Sequence, residues 1–389
     1  MPDSRRGRRS APHREDPDVI IVYPHLPHYR ERVFRHLADH CGLLVEFVAD
    51  TESRDRTIPT VPPGEFQRFH RVRNRWLGPV LWQAGLIGHL LATRPDAVIF
   101  LGDVSYLTTW IAGGMMRIRR CPVLFWTIGW HRPEKGLKRF VRLAFYRLAN
   151  GLLLYGRNGE AIGRELGYPA DRMFVVGNSH DIDIDAALLP TIHHADQFEG
   201  RAWVGAVVRP NANKRLDQLL HAVCKLRAES HDVGVIIVGE GHANAELVAL
   251  ASELDVPLRM PGALHDVGEL ARIYSELLVT VVPEAAGLTA IQSLWFGRPV
   301  ITCSDPFRQM PEFECVIPGR TGDLFPPGNV GELAAAIERW IERVRTDPAA
   351  VAEDCRREAR SNWTSDAHAQ RIRIALDAIV GRVHEALRA

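Results

Sequence analysis

Clustered cysteine is missing from this chain. Cys41, Cys121, Cys224, Cys303, Cys315 and Cys355 stand far apart and form no CxxC pair. A cysteine-ligated zinc module and a disulfide scaffold are thereby excluded, and a reducing cytoplasm fits. Long apolar runs are missing too: none approaches the roughly 20 residues of a membrane-spanning helix. The start, MPDSRRGRRSAPHRED, is rich in arginine but has no apolar stretch behind it. It does not read as a secretory signal, and residues 1–17 are expected to be a disordered basic tail. No repeat of short period is present, which removes solenoids and propellers.

What remains is ordinary in composition and unusual in arrangement. A chain of 389 residues, 46% hydrophobic and 24% charged, reads as a soluble globular protein. Its length calls for two domains of about 150–200 residues each. The net charge of +1 hides an imbalance. Residues 1–189 hold 27 Lys and Arg against 20 Asp and Glu, and the remainder holds 21 against 27. A basic half beside an acidic half favours an anionic surface or substrate facing the first half.

Apolar strands alternate with helical stretches along the first half. Val19–Tyr23, Leu44–Val48, Asp96–Gly102, Pro122–Trp126, Gly151–Tyr155 and Met173–Val176 read as strands. The spacing predicts helices over residues 30–38, 134–149 and 159–166. Alternation of this kind makes a doubly wound parallel sheet. Ligands of such sheets sit at the carboxyl ends of strands. That nominates the loops at 24–30, 102–106 and 127–132, with His28, Arg30, Asp103, Trp130 and His131 as acceptor-facing candidates. Arg68, Arg71, Arg73 and Arg75 run into Trp76, Leu77, Leu81, Trp82, Leu86 and Ile87. This segment reads as a partly buried helix with a basic start, or as a segment lying on an anionic membrane.

Residues 177–199 have weak periodicity and read as a linker. A second α/β set follows. Its last part, VVPEAAGLTAIQSLWFGRP over residues 281–299, is the most informative stretch. A strand at 277–282 leads into a turn of small residues. Leu288, Ile291, Leu294 and Trp295 then recur at helical spacing, and Gly297 and Pro299 stop the helix. Such a turn exposes backbone N–H groups at the positive end of a helix and can hold a phosphate. Upstream, Arg209 and Lys214 lie five apart after another strand, a guanidinium fork and a point charge suited to a diphosphate. Gly239 and Gly241 form part of a glycine-rich loop, without the full dinucleotide fingerprint. Glu284 follows its strand directly, where a carboxylate can accept hydrogen bonds from sugar hydroxyls.

The ordered set is more specific than its parts: VGAVVRPNANKRLDQLL, VIIVGEGHANAELVAL, a Pro-Gly loop, then VVPEAAGLTAIQSLWFGRPVITCSD. In these motifs the chain resembles the GT-B glycosyltransferases, and is similar to family 4 of the retaining, nucleotide-sugar-dependent enzymes. YPHLPHYRERVFRHLA, PVLFWTIGW and LLLYGRNG through VVGNSHDID extend the resemblance over most of the chain.

The resemblance implies two Rossmann-like doubly wound domains facing across a cleft. It places an acceptor-binding domain at 18–185, a nucleotide-sugar domain at 186–363, and a helix at 364–389 packing back toward the first domain. It implies that Arg209 and Lys214 hold the donor diphosphate and that Glu284 touches the donor sugar. Ala286, Gly287, Leu288 and Thr289 would meet the phosphates. Gln292, where the family usually has a second glutamate, would meet the ribose. Gly205 and Gly239 would line the donor site, and Gly262, Ala263 and Leu264 would wall the nucleobase. A His often found after the PVLFW-type strand is out of register: Ile128 takes its place and His131 is the nearest substitute. The implied reaction is sugar transfer from a nucleoside diphosphate to an acceptor hydroxyl, retaining and metal-free, with no cofactor. The acceptor would be a glycan, a lipid-linked or a small molecule, nucleic acid is not a partner, and an anionic membrane is a further contact. The alternative is a non-catalytic scaffold that binds a nucleotide sugar on the same fold.

Overall fold

The structure is a computed structural model, and it describes residues 16–55, 59–182 and 200–388. The linker expected at 177–199 therefore falls largely outside the described residues, as does most of the basic tail.

The chain opens with β1 (Val19–His25), β2 (Val45–Asp50) and β3 (Phe69–Arg71). A hairpin follows, β4 (Arg73–Leu77) and β5 (Val80–Ala84), and then β6 (Ala97–Leu101), β7 (Val123–Thr127), β8 (Gly151–Leu154) and β9 (Met173–Val175). All but the hairpin form a seven-stranded sheet in the order β3-β2-β1-β6-β7-β8-β9, and β1 pairs in parallel with both β2 and β6. The second set is β10 (Ala202–Val207), β11 (Val233–Val238), β12 (Leu258–Gly262), β13 (Leu277–Val281), β14 (Val300–Cys303) and β15 (Gly322–Phe325). It makes a parallel six-stranded sheet in the order β12-β11-β10-β13-β14-β15. Strands such as β11 and β13 are buried at every residue, because helices cover both faces of a parallel sheet. Leu219, Val223, Ile291, Leu294, Leu333 and Ile337 fill one core against these strands.

By contacts the chain divides into two compact units. One comprises Met1–Thr127, Lys135–Leu153 and Ile372–Ala389, and the other Ile128–Glu134 and Leu154–Arg371. The GNSHD run at 177–181 serves the second unit as a helix cap: the Asp181 carboxylate accepts the Ser365 N–H at 3.0 Å, opening the helix Ser365–Arg388.

Three elements differ from the sequence reading. Residues 69–84 are strands, where a helix or membrane-lying segment was expected. RNRWL and VLWQA each alternate in burial, and Gly78 with a φ of +56° turns one back on the other. A helix, Leu107–Ile118, follows β6, and another, Pro348–Asn362, precedes the helix expected at 364–389. The latter is set by Asp347, whose carboxylate accepts the Ala350 N–H at 3.0 Å, with Pro348 at the first helical position.

Candidate active site

Strand order reverses between β10 and β13, since β11 and β12 lie on one side and β14 and β15 on the other. The loops leaving the carboxyl ends of these two neighbours therefore diverge and leave a crevice. Those loops are Val208–Lys214 and Pro283–Gly287, which carry Arg209, Lys214 and Glu284.

The fold explains why these loops have their sequences. Gly239 has a φ of +139°, and a β-carbon there would lie 1.9 Å from the Val208 carbonyl oxygen; at Gly241 it would lie 2.0 Å from that of Pro210. The Gly-Glu-Gly loop thus supports the Arg209 loop from below, and Gly239 also donates its N–H to the Gly262 carbonyl at 2.8 Å. Gly239→Ala is expected to cost about 1–3 kcal/mol of stability through backbone displacement and to weaken donor binding, read by urea denaturation and by titration of a nucleotide sugar. Gly205 lies inside β10, where a β-carbon would meet the Ile236 carbonyl at 1.8 Å. The absence of a side chain there is what lets the two strands sit at their spacing.

Asn211 accepts the Asn213 N–H at 3.0 Å and starts a 3-10 turn, Ala212–Lys214. The Lys214 carbonyl takes the Glu284 N–H at 3.2 Å, and the Lys214 ammonium donates to the Ala285 carbonyl at 2.6 Å. Ala285 has a φ of +52°, a left-handed conformation rare outside glycine. The two loops are thus laced together by Lys214. Burial holds the Lys214 ammonium below its ordinary pKa, while the Glu312 carboxylate opposes that fall.

The small turn offers fewer phosphate donors than its sequence suggests. The Ala285 N–H goes to the Arg308 carbonyl at 2.8 Å and the Ala286 N–H to the Gln309 side-chain oxygen at 2.9 Å. The N–H groups of Gly287, Leu288 and Thr289 lead the helix Leu288–Trp295, so helix geometry gives them no acceptor and leaves them for an anion. Thr289 uses its hydroxyl on the Val207 carbonyl at 2.7 Å, pinning the helix start to the end of β10. Gln292 is half-buried, and its side-chain oxygen takes the Tyr274 hydroxyl at 3.5 Å. Gly262 ends β12 with a φ of +88°; Ala263 after it is exposed and Leu264 is half-buried against the Tyr274 and Phe296 cluster.

Sequence reasoning missed the segment that closes over this turn. The run SDPFRQMPE follows β14. Arg308 reaches Glu284 at 2.8 Å and Asp305 at 3.3 Å. Gln309 is buried, and its amide donates to the Thr302 hydroxyl at 2.7 Å and the Cys303 carbonyl at 2.9 Å. Glu312 is 4% exposed and accepts from the Asn178 amide at 2.6 Å. Glu314 receives the Asn158 N–H at 3.0 Å, and burial raises its pKa. The available signal was a polar run at the carboxyl end of a strand.

The acceptor set is corrected in two places. Arg30 is 6% exposed, with its guanidinium 4.9 Å above the Trp126 ring. Trp130 is 1% exposed and packs 5.5 Å from Tyr168. Both are almost wholly buried in packing, although Trp130 still lines a small cavity with Ile128, His131 and Glu314. His28 is exposed, and exposed Asp103 is engaged with the Ser105 N–H and hydroxyl at 2.8 and 2.7 Å. His131 is exposed and belongs by contacts to the second unit. Desolvation and the charge of Arg132 hold its imidazole below the ordinary pKa. Arg132 beside it donates to the Phe307 carbonyl at 3.0 Å, so this loop meets the segment that closes the turn. Among the described residues, no group of three or more His, Cys, Asp or Glu side chains is placed to hold a metal ion.

Comparison with known proteins bears on this geometry. The lipopolysaccharide outer core galactosyltransferase WaaB, in its apo form, superposes with a TM-score of 0.69 at 13% identity, covering 94% of this chain and 99% of that one. HepE from Anabaena, solved with UDP, gives 0.68 at 17% identity, covering 91% and 97%. With the two parallel sheets, these neighbours define the GT-B glycosyltransferase fold. Residues 201–343 match the family model described as "Glycosyl transferases group 1". The 2-deoxystreptamine glucosyltransferase of Streptomyces kanamyceticus is 27% identical over 241 residues, and the match spans 58% of this chain and 58% of that protein's length.

Proposed function

We propose that this protein is a glycosyltransferase that moves a sugar from a nucleoside diphosphate to an acceptor hydroxyl, with retention of configuration and without a metal. The observation that carries the reading is the lacing of Lys214 to the Glu284 turn at the switch point of the second sheet. On this reading the half-buried Lys214 ammonium, the Arg209 guanidinium and the leading N–H groups of Gly287, Leu288 and Thr289 face the donor diphosphate. Together they supply the charge that a departing diphosphate needs, and preorganised charge of this kind is the main source of rate in group transfer. Glu284 follows on the sugar side of that cluster. The partners on this reading are a nucleotide-sugar donor and an acceptor on a glycan, a lipid-linked or a small molecule. We place the protein in the cytoplasm, where six free cysteines are at home, and peripherally on the inner face of the membrane, in glycan, glycolipid or glycosylated-metabolite synthesis.

The first donors to try are UDP-sugars, because HepE was solved with UDP. In a thermal-shift screen of nucleotide sugars, the correct donor at 100 times its Kd is expected to add about 2.7 kcal/mol of stability. A shift followed by hydrolysis or transfer of the sugar supports catalysis. A shift with no turnover favours a non-catalytic binding protein, a reading to which the neutral Gln292 and the Arg308-covered Glu284 lend weight. No shift with any nucleotide sugar rejects both.

A further inference from the structure

We propose that the first unit carries a docking surface for an anionic lipid bilayer, built from the β4–β5 hairpin and the helices Leu107–Ile118 and Gly136–Arg147. The inference stands apart from sugar transfer and rests on the placement of apolar and charged side chains.

The three elements adjoin one another. The Leu81 N–H of the hairpin donates to the Ser105 carbonyl at 3.1 Å, and Trp76 lies edge-on to Tyr106 at 6.0 Å, just before the first helix. Trp110 of that helix packs 4.9 Å from Phe145 of the second. Each element turns apolar side chains outward. Leu77 is 83% and Val80 37% exposed at the hairpin tip. Leu107, Ile111 and Ile118 are exposed, and their spacing of four and seven puts them on one helical face. The helix Gly136–Arg147 buries Leu143, Phe145 and Tyr146 on one side. On the other it offers Leu137 at 77%, Phe140 at 69% and Val141 at 38% exposure. These eight are more than half of the fourteen large apolar side chains exposed in the described chain. Concentration of that degree marks an interaction site.

Charge decides the occupant. Residues 73–84, 107–120 and 135–147 contain ten Lys and Arg and no Asp or Glu, in a chain whose totals are 48 and 47. A second copy docking on the same surface would set ten positive charges against ten, which disfavours a symmetric dimer. Apolar side chains flanked by lysine and arginine match the layering of an anionic membrane, with hydrocarbon below and phosphate at the level of the bases. The structure also moves the anchors from where the sequence put them. Trp76 and Trp82 are half-buried, and Trp76 lies beneath the Arg54 guanidinium at 4.9 Å. The outward residues are Leu77, Leu137 and Phe140.

The test is co-sedimentation of the full chain with phosphatidylglycerol and phosphatidylcholine vesicles. Binding to the first and not the second is expected. Leu77→Ser, Leu137→Ser and Phe140→Ser combined leave the charge unchanged and are expected to weaken binding by at least about tenfold. Lys138→Glu with Arg139→Glu is expected to weaken it by about a hundredfold. Both variants keep the basic N-terminal tail, so their losses report this surface. The donor-induced thermal shift should persist in both, which separates failure here from failure of the catalytic reading. Equal binding to both lipids, no binding to phosphatidylglycerol, or variants that bind as the parent does would each overturn the proposal.

Discussion

Lys214→Ala is expected to lower kcat/KM for sugar transfer by about 10²–10³-fold while the protein stays folded. The argument has two parts. The ammonium sits in a largely desolvated position, where a positive charge facing a departing diphosphate is worth far more than in water. It also ties the Arg209 loop to the Glu284 turn through the Ala285 carbonyl at 2.6 Å. Lys214→Arg tests the two parts separately, because it retains the charge but does not reproduce the single short contact. Near-parental turnover in Lys214→Ala would reject the assignment.

The same lysine should leave a mark on the pH profile. Burial lowers its pKa from the ordinary 10.5, and the neighbouring Glu312 carboxylate limits that fall. Activity that depends on the protonated form is present below the lowered value and is lost as pH rises through it. Removing the carboxylate charge with Glu312→Gln lets the pKa fall further, so the alkaline limb moves to lower pH. Stability has the opposite sign. Between the folded pKa and 10.5 the unfolded chain binds more protons than the folded one, so the free protein gains stability as pH rises through that window. Lys214→Met should abolish that gain.

The strands were legible because parallel strands covered on both faces are uninterrupted apolar runs. Gly151–Tyr155 could be read to within one residue of β8, and the helix from Leu288 announced itself by spacing. The hairpin was obscured because Trp76, Leu77, Leu81 and Trp82 imitate a helical stripe, and only the Gly78–Pro79 turn argues otherwise. Lys214 and Glu284 could be nominated because each follows the end of a strand. Arg308, Gln309 and Glu312 could not, since their meaning lies in contacts with residues 24, 23 and 134 positions earlier. Burial separates residues that look alike in sequence: Arg30 and Trp130 sit in loops at strand ends, as Lys214 does, yet both are packed away.

Glu284→Gln is expected to lower kcat by about 10²-fold, with a smaller change in donor KM. Glutamine keeps the hydrogen-bonding reach of the side chain and removes its charge, so the loss would report the charge facing the positive character that develops on the sugar. In the free protein that charge is engaged, with the Arg308 guanidinium at 2.8 Å. Arg308 is itself exposed and shared with Asp305 at 3.3 Å, so the contact is a solvent-screened pair that a donor can displace. Arg308→Ala should therefore act mainly on donor KM. In the Glu284→Gln background the same change should have little further effect, because the partner charge is already gone. Full additivity of the two substitutions would show that Arg308 acts elsewhere, and an unchanged kcat in Glu284→Gln would remove the carboxylate from the mechanism.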